Sequence, residues 1–129
     1  MDAFNGLLLF GNGKGMINTS TSNQSGFLVG GDAKGLISLI NAQGNPWIMT
    51  TQNRGKLKSF SLSKKYSIQP LLTKDIVIIE HLRNGKSRRK EINYGTSFFS
   101  QSSRNVWVSK NLKSLEIIDY QGHKRNLIL

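Results

Sequence analysis

Few side chains in this sequence have the types and spacing for chemistry. His81 and His123 are the only imidazoles, about forty residues apart, and no carboxylate pattern surrounds either. A metal site needs several converging ligands, so both read as surface histidines. The acids are Asp2, Asp32, Asp75, Glu80, Glu91, Glu116 and Asp119. Glu80 and Glu91 are placed to face each other across a hairpin, or to pair with Arg88, Arg89 or Lys90 on the returning strand, the arrangement favoured by cross-strand charge pairing. No serine sits in a Gly-x-Ser-x-Gly frame. Gly11-Asn12-Gly13-Lys14-Gly15 has the composition of a phosphate loop, but its register is wrong and no helix pattern follows, so it reads as a hairpin turn. No catalytic constellation results, and no cofactor or metal is expected.

Charge is the second feature. The 129 residues carry a net charge of +11, and eleven of the eighteen Lys and Arg fall between Arg54 and Lys90. Such a field attracts phosphate polyanions, anionic lipid or acidic glycans. It also suits a solvated strand face on which lysine blunts edge pairing. Lys86, Arg88, Arg89 and Lys90 are the candidate polyanion contacts. In the nucleic-acid version of this reading, Tyr94, Phe98 or Phe99 stack bases as an OB-fold does. Packing of Phe98 and Phe99 in the core is the plainer alternative.

The elements that must position these residues are strands. Hydrophobic residues make up 37%, there are thirteen glycines, two prolines and no cysteine, and the apolar runs are short. Disulfides and thiolate metal sites are therefore excluded, and no run approaches the roughly 20 residues of a membrane helix. Alternation and turn residues predict strands at Gly6–Phe10, Met16–Thr19, Phe27–Val29, Leu36–Ile40, Pro46–Thr51 and Lys56–Leu62, with a loop over Thr19–Ser25. A boundary falls near Ser63–Leu72. Further strands follow at Asp75–Leu82, Ser87–Tyr94, Asn105–Val108, Leu115–Asp119 and Lys124–Leu129. The expected division is residues 1–63 and residues 64–129, both all-β, with no helical periodicity.

Two stretches resemble known families. Leu36–Phe60, with strand Leu36–Ile40, turn Asn41–Asn45, strand Trp47–Thr51, turn Gln52–Gly55 and strand Lys56–Phe60, resembles an FG-GAP or VCBS-type propeller blade, and Gly6–Ile17 is similar to the outer hairpin of a preceding one. The turn Asn41–Asn45 has no carboxylate, whereas calcium takes about six to eight oxygen ligands, so no calcium is expected there. Ile76–Ile128 resembles the ASPIC/UnbV module of proteins related to cartilage acidic protein. That resemblance rests on Asn84-Gly85-Lys86, on Gly95-Thr96-Ser97-Phe98-Phe99-Ser100-Gln101, and on Leu115-Glu116-Ile117 ahead of Gly122-His123-Lys124-Arg125.

Together the resemblances imply one to one and a half antiparallel propeller blades followed by a small sandwich-like or barrel-like β domain. They imply a non-catalytic binding or scaffolding module of an exported or cell-envelope protein, extracellular or in the periplasm or outer membrane, with an unidentified protein or glycan partner. The chain itself shows no signal sequence, and the rest of the propeller is expected upstream, as in a C-terminal fragment. Gly95, Ser97, Phe98, Phe99, Ser100, Gln101 and Arg104 would then be structural: Gly95 a turn, the two phenylalanines core anchors, and Ser97, Ser100 and Gln101 hydrogen-bond partners for turn backbone. A basic β domain that binds single-stranded nucleic acid or another polyanion is the alternative.

Overall fold

Four antiparallel sheets make up the computed structural model, which describes residues 5–95 and 100–129. The strands are β1 (Leu8–Gly11), β2 (Ile17–Ser20), β3 (Ala33–Ile40), β4 (Pro46–Gln52), β5 (Lys58–Ser61), β6 (Ser67–Pro70), β7 (Asp75–Leu82), β8 (Ser87–Glu91), β9 (Asn105–Val108), β10 (Leu112–Asp119) and β11 (Lys124–Ile128). They form a β1–β2 hairpin, a β3–β4–β5 meander, a β6–β9 ribbon and a four-stranded sheet ordered β11–β10–β7–β8. None of these sheets closes into a barrel among the described residues. The all-β, antiparallel expectation is met.

Turn chemistry sets the registers. In the β7–β8 hairpin Gly85 takes φ +80°, a left-handed backbone that glycine adopts without a Cβ penalty. The Asn84 side chain accepts the Lys86 N–H at 3.1 Å. Glu80 then pairs with Arg88, Ile79 with Arg89, Ile78 with Lys90 and Val77 with Glu91. Because side chains alternate along a strand, Arg88 and Lys90 share the face of Ile78 and Glu80, and Arg89 points the other way. Pro46 opens β4, where its missing N–H costs no ladder bond.

The core lies on the Ile78 face of the four-stranded sheet. Ile78, Leu112, Leu115 and Ile117 are buried there together with Val106 of β9, so the β6–β9 ribbon packs over that face. Leu71, Leu82, Ile92, Val108 and Leu127 complete the cluster. At one end of the sheet Asp75 is wholly buried. The Arg125 guanidinium grips both its oxygens, and it accepts the Leu72 N–H at 2.7 Å.

Several elements differ from the sequence expectation. Phe27–Val29 is not a strand: Val29 N–H donates to the Asn5 carbonyl at 2.8 Å, and the Phe27 ring packs tilted against Phe60 of β5, centroids 4.7 Å apart, instead of entering a ladder. Within the expected loop Thr19–Ser25, Ser22–Ser25 make one turn of helix α1, with the Gln24 side chain accepting the Thr21 N–H at 3.2 Å. The segment read only as a boundary, Ser63–Leu72, contains β6, which pairs with β9. β3 begins at Ala33, three residues earlier than expected, and β10 at Leu112, where a register shift between Leu112 and Ser114 breaks the alternation.

Candidate functional site: a basic groove over a buried carboxylate

The β7–β8 hairpin and the β6–β9 ribbon together build a groove. Register places Arg88 beside Glu80, while the ribbon brings Tyr66 against Trp107, ring centroids 5.8 Å apart. Lys64 and Lys65 lead into β6, and Ser109, Lys110 and Asn111 form the β9–β10 turn. These residues line a cavity of about 670 Å³ with Glu80, Arg88 and Lys90. Five cations surround one carboxylate.

Glu80 is 1% exposed, yet its partners are not: Arg88 Nη2 approaches at 2.7 Å and Lys90 Nζ bonds the other oxygen, with those side chains 56% and 49% exposed. A buried carboxylate is tolerable only when paired, and here the two cations hold it from the solvent side. Lys64, Lys65 and Lys110 have no ion pair among the described residues. The groove is thus positive at its rim and aromatic along one wall.

The four basic residues singled out in the sequence divide. Arg88 and Lys90 line the groove. Arg89 lies on the opposite face, paired with Glu91, and Lys86 sits in the turn outside the lining. Glu80 and Glu91 do not face each other; each is taken by a basic residue of β8, as charge pairing favours. Lys64, Lys65, Tyr66, Trp107 and Lys110 were not singled out. The doubled lysine before Tyr66 was the one available signal, and the Tyr66–Trp107 contact spans a sequence separation that no local pattern records.

The signature stretch is described at Gly95 and from Ser100 onward. Ser97, Phe98 and Phe99 lie outside the described residues. Gly95 is not in the left-handed region, and a Cβ there would meet open space, so its backbone does not require glycine. Residues 100–103 run along the free edge of β3. Ser102 Oγ accepts the Ser38 N–H at 2.9 Å, Ser103 N–H donates to the Ser38 carbonyl at 2.8 Å, and Ser100 Oγ lies 3.4 Å from the Leu36 carbonyl. Ser100 thus reaches strand backbone at Leu36; Gln101 is exposed and lines a small apolar cleft beside Ile37 and Met49. Arg104 is a clamp. Its Nη1 donates to the Asn93 carbonyl at 3.0 Å, Nη2 donates to the Asp75 carbonyl, and the guanidinium lies 4.8 Å from the Tyr94 ring centroid.

Asp119 and the two histidines are further titratable groups named in the sequence. Asp119 accepts the Gln121 and His123 N–H groups at 3.0 and 2.9 Å and pairs with Lys74 at 2.9 Å. The Lys74 bond, chiefly, with the turn N–H groups holds its carboxyl well below the usual range against the opposing effect of burial. His123 Nδ1 lies 3.3 Å from Asp119, so this imidazole is attached to a turn that the carboxylate already organises. His81 is half-buried on β7, on the face opposite Glu80. Among the described residues no three His, Asp or Glu side chains cluster as a metal site would require. Among the described residues no helix is long and apolar enough to cross a membrane.

Comparison with protein-family models, with curated proteins and with solved structures found no match for this chain.

Proposed function

We propose that this chain is a non-catalytic β module that binds an anionic polymer along the groove above Glu80. The observation that carries the reading is the convergence of Lys64, Lys65, Arg88, Lys90 and Lys110 on one aromatic-walled cavity. Three of these cations have no carboxylate to neutralise them among the described residues, while each described acid is occupied by a cation of its own. A charged chain laid along such a rim releases its counterions, and binding then weakens steeply with salt. Titration of the protein with inorganic polyphosphate at rising salt tests this. Saturable binding with a linear log–log salt dependence is expected, and absence of binding at low salt overturns the reading.

The strand groups also come in the order that the family resemblance implies, a three-stranded meander (β3–β5) ahead of the sheets built from β6 to β11. That order supports the reading of residues 1–63 as propeller-blade material and residues 64–129 as an ASPIC/UnbV-like domain, serving binding or scaffolding at the cell envelope. Fractionation of cells that produce the protein tests the placement: recovery in the cytosol alone sinks it.

A further inference from the structure

Trp107 stands outside the core. Its neighbours on β9, Val106 and Val108, both belong to the core cluster, and Trp107 does not. Side chains alternate along a strand, so the indole leaves the β6–β9 ribbon on the side away from that core. Its ring partner there is Tyr66, tilted by 48°. Both rings are half-buried. A buried Tyr or Trp normally finds a hydrogen-bond partner for its polar tip. Among the described residues neither Tyr66 Oη nor Trp107 Nε1 makes a hydrogen bond, and both atoms are open to solvent. These two rings therefore present accessible aromatic surface to the groove.

The cations gather at the same place for a reason of register. Ser67 pairs with Val108, so the residues just ahead of β6 and just after β9 meet at one end of the ribbon. Lys64 and Lys65 arrive on one strand and Lys110 on the other; all three are exposed, and they line the same cavity as the two rings. Open aromatic surface thus lies beside three cations that have no ion pair among the described residues.

We propose that the groove takes single-stranded nucleic acid, with a base stacked on the Trp107–Tyr66 wall and the flanking phosphates at Lys64, Lys65 and Lys110. The proposal rests on the groove reading and names its ligand. Every base has a π face that stacks on an aromatic side chain, while the backbone follows positive charge. A duplex hides those faces, so the strand must be single. Inorganic polyphosphate offers nothing to the rings. A glycan offers hydroxyls, which need acceptors as well as donors. Lysine and arginine only donate, and the one carboxylate of the lining, Glu80, is already held by Arg88 and Lys90.

Calorimetric titration of the whole protein with an oligothymidylate, and with an abasic deoxyribose-phosphate oligomer of the same length, isolates the bases. Stacking on an aromatic side chain corresponds to roughly a tenfold gain per base. The wild type should bind the thymidylate about tenfold more tightly, with the same salt slope for both oligomers because their phosphates are the same. Trp107→Ala should bring the thymidylate down to the abasic level and leave the abasic affinity unchanged. A second readout keeps the ring in place: in Trp47→Phe, Trp107 is the sole tryptophan, and its fluorescence should be quenched by the thymidylate and not by the abasic oligomer. Equal binding of the two oligomers by the wild type, or a folded Trp107→Ala that weakens both equally, overturns the proposal and leaves the groove reading standing. A galacturonate oligomer of equal charge that binds more tightly than the thymidylate also overturns it, in favour of an acidic glycan. If none of these polymers binds at low salt, both readings fail.

Discussion

Glu80 is the residue through which the groove reading is most sharply exposed to test. Its carboxylate is 1% exposed and competes with any anionic ligand for Arg88, at 2.7 Å, and for Lys90. The wild-type groove offers three cations without an ion pair among the described residues, Lys64, Lys65 and Lys110; Glu80→Gln adds Arg88 and Lys90. With a slope of about 0.7 to 0.9 per neutralised charge, the log–log salt dependence should steepen from roughly 2–3 to roughly 4. Removing one like charge a few ångströms from the ligand is worth on the order of 1–2 kcal/mol at a partly screened site, so affinity at low salt should rise about tenfold. Deleting one partner of a buried ion pair is damaging when the survivor is left buried. Here the survivors are half-exposed cations that regain water, so the fold should lose no more than about 1 kcal/mol. Polyphosphate titrations of both proteins over a salt series, with urea unfolding as the stability control, measure all three quantities. An unchanged slope, or weaker binding by a variant that is still folded, refutes the view of Glu80 as an internal competitor.

Asp75→Ala should destabilise far more than Glu80→Gln, by about 3 kcal/mol in urea unfolding, because it strands Arg125 and removes the acceptor of the Leu72 N–H in a wholly buried corner. Asp119 gives a pH signature. Its folded pKa lies below the ordinary aspartate value, so its contribution is present above that ordinary value and is lost as pH falls through the folded pKa. Asp119→Asn should therefore be less stable than wild type at neutral pH, with the difference shrinking in acid; a gap that stays constant down to strongly acid pH would count against the Lys74 and turn contacts as its source.

The strand character and the tight turns were legible because their causes are local. Asn84-Gly85 announces a hairpin, and once that turn is set the pairing of Glu80 with β8 follows by counting residues. β6 was hidden. Ser67–Pro70 has one strongly apolar residue, Ile68, ends in proline and finds its partner β9 some forty residues away, so neither alternation nor a nearby turn marks it. The same distance concealed the groove, whose aromatic wall exists only once β6 and β9 pair. The early start of β10 was obscured by its register shift at Lys113, and Phe27–Val29 misled because Phe27 and Val29 are apolar for packing rather than for a ladder. Arg104 was named for its place in a signature, while its hydrogen bonds to three backbone carbonyls are a tertiary fact.

The seam between residues 100–103 and β3 has a consequence for how the chain folds. Ser38 and Ser102 are 64 positions apart in sequence, so this contact closes a long loop, whereas the β3–β4–β5 meander closes through short turns. Long-range pairing is slow relative to local pairing. During synthesis the meander should form first and wait, with β3 unlatched, until Ser103 has emerged. An open strand edge is a template for another chain. The interval between these events is when two nascent copies are most able to pair with each other, and chaperone demand should fall once the serine-rich segment docks.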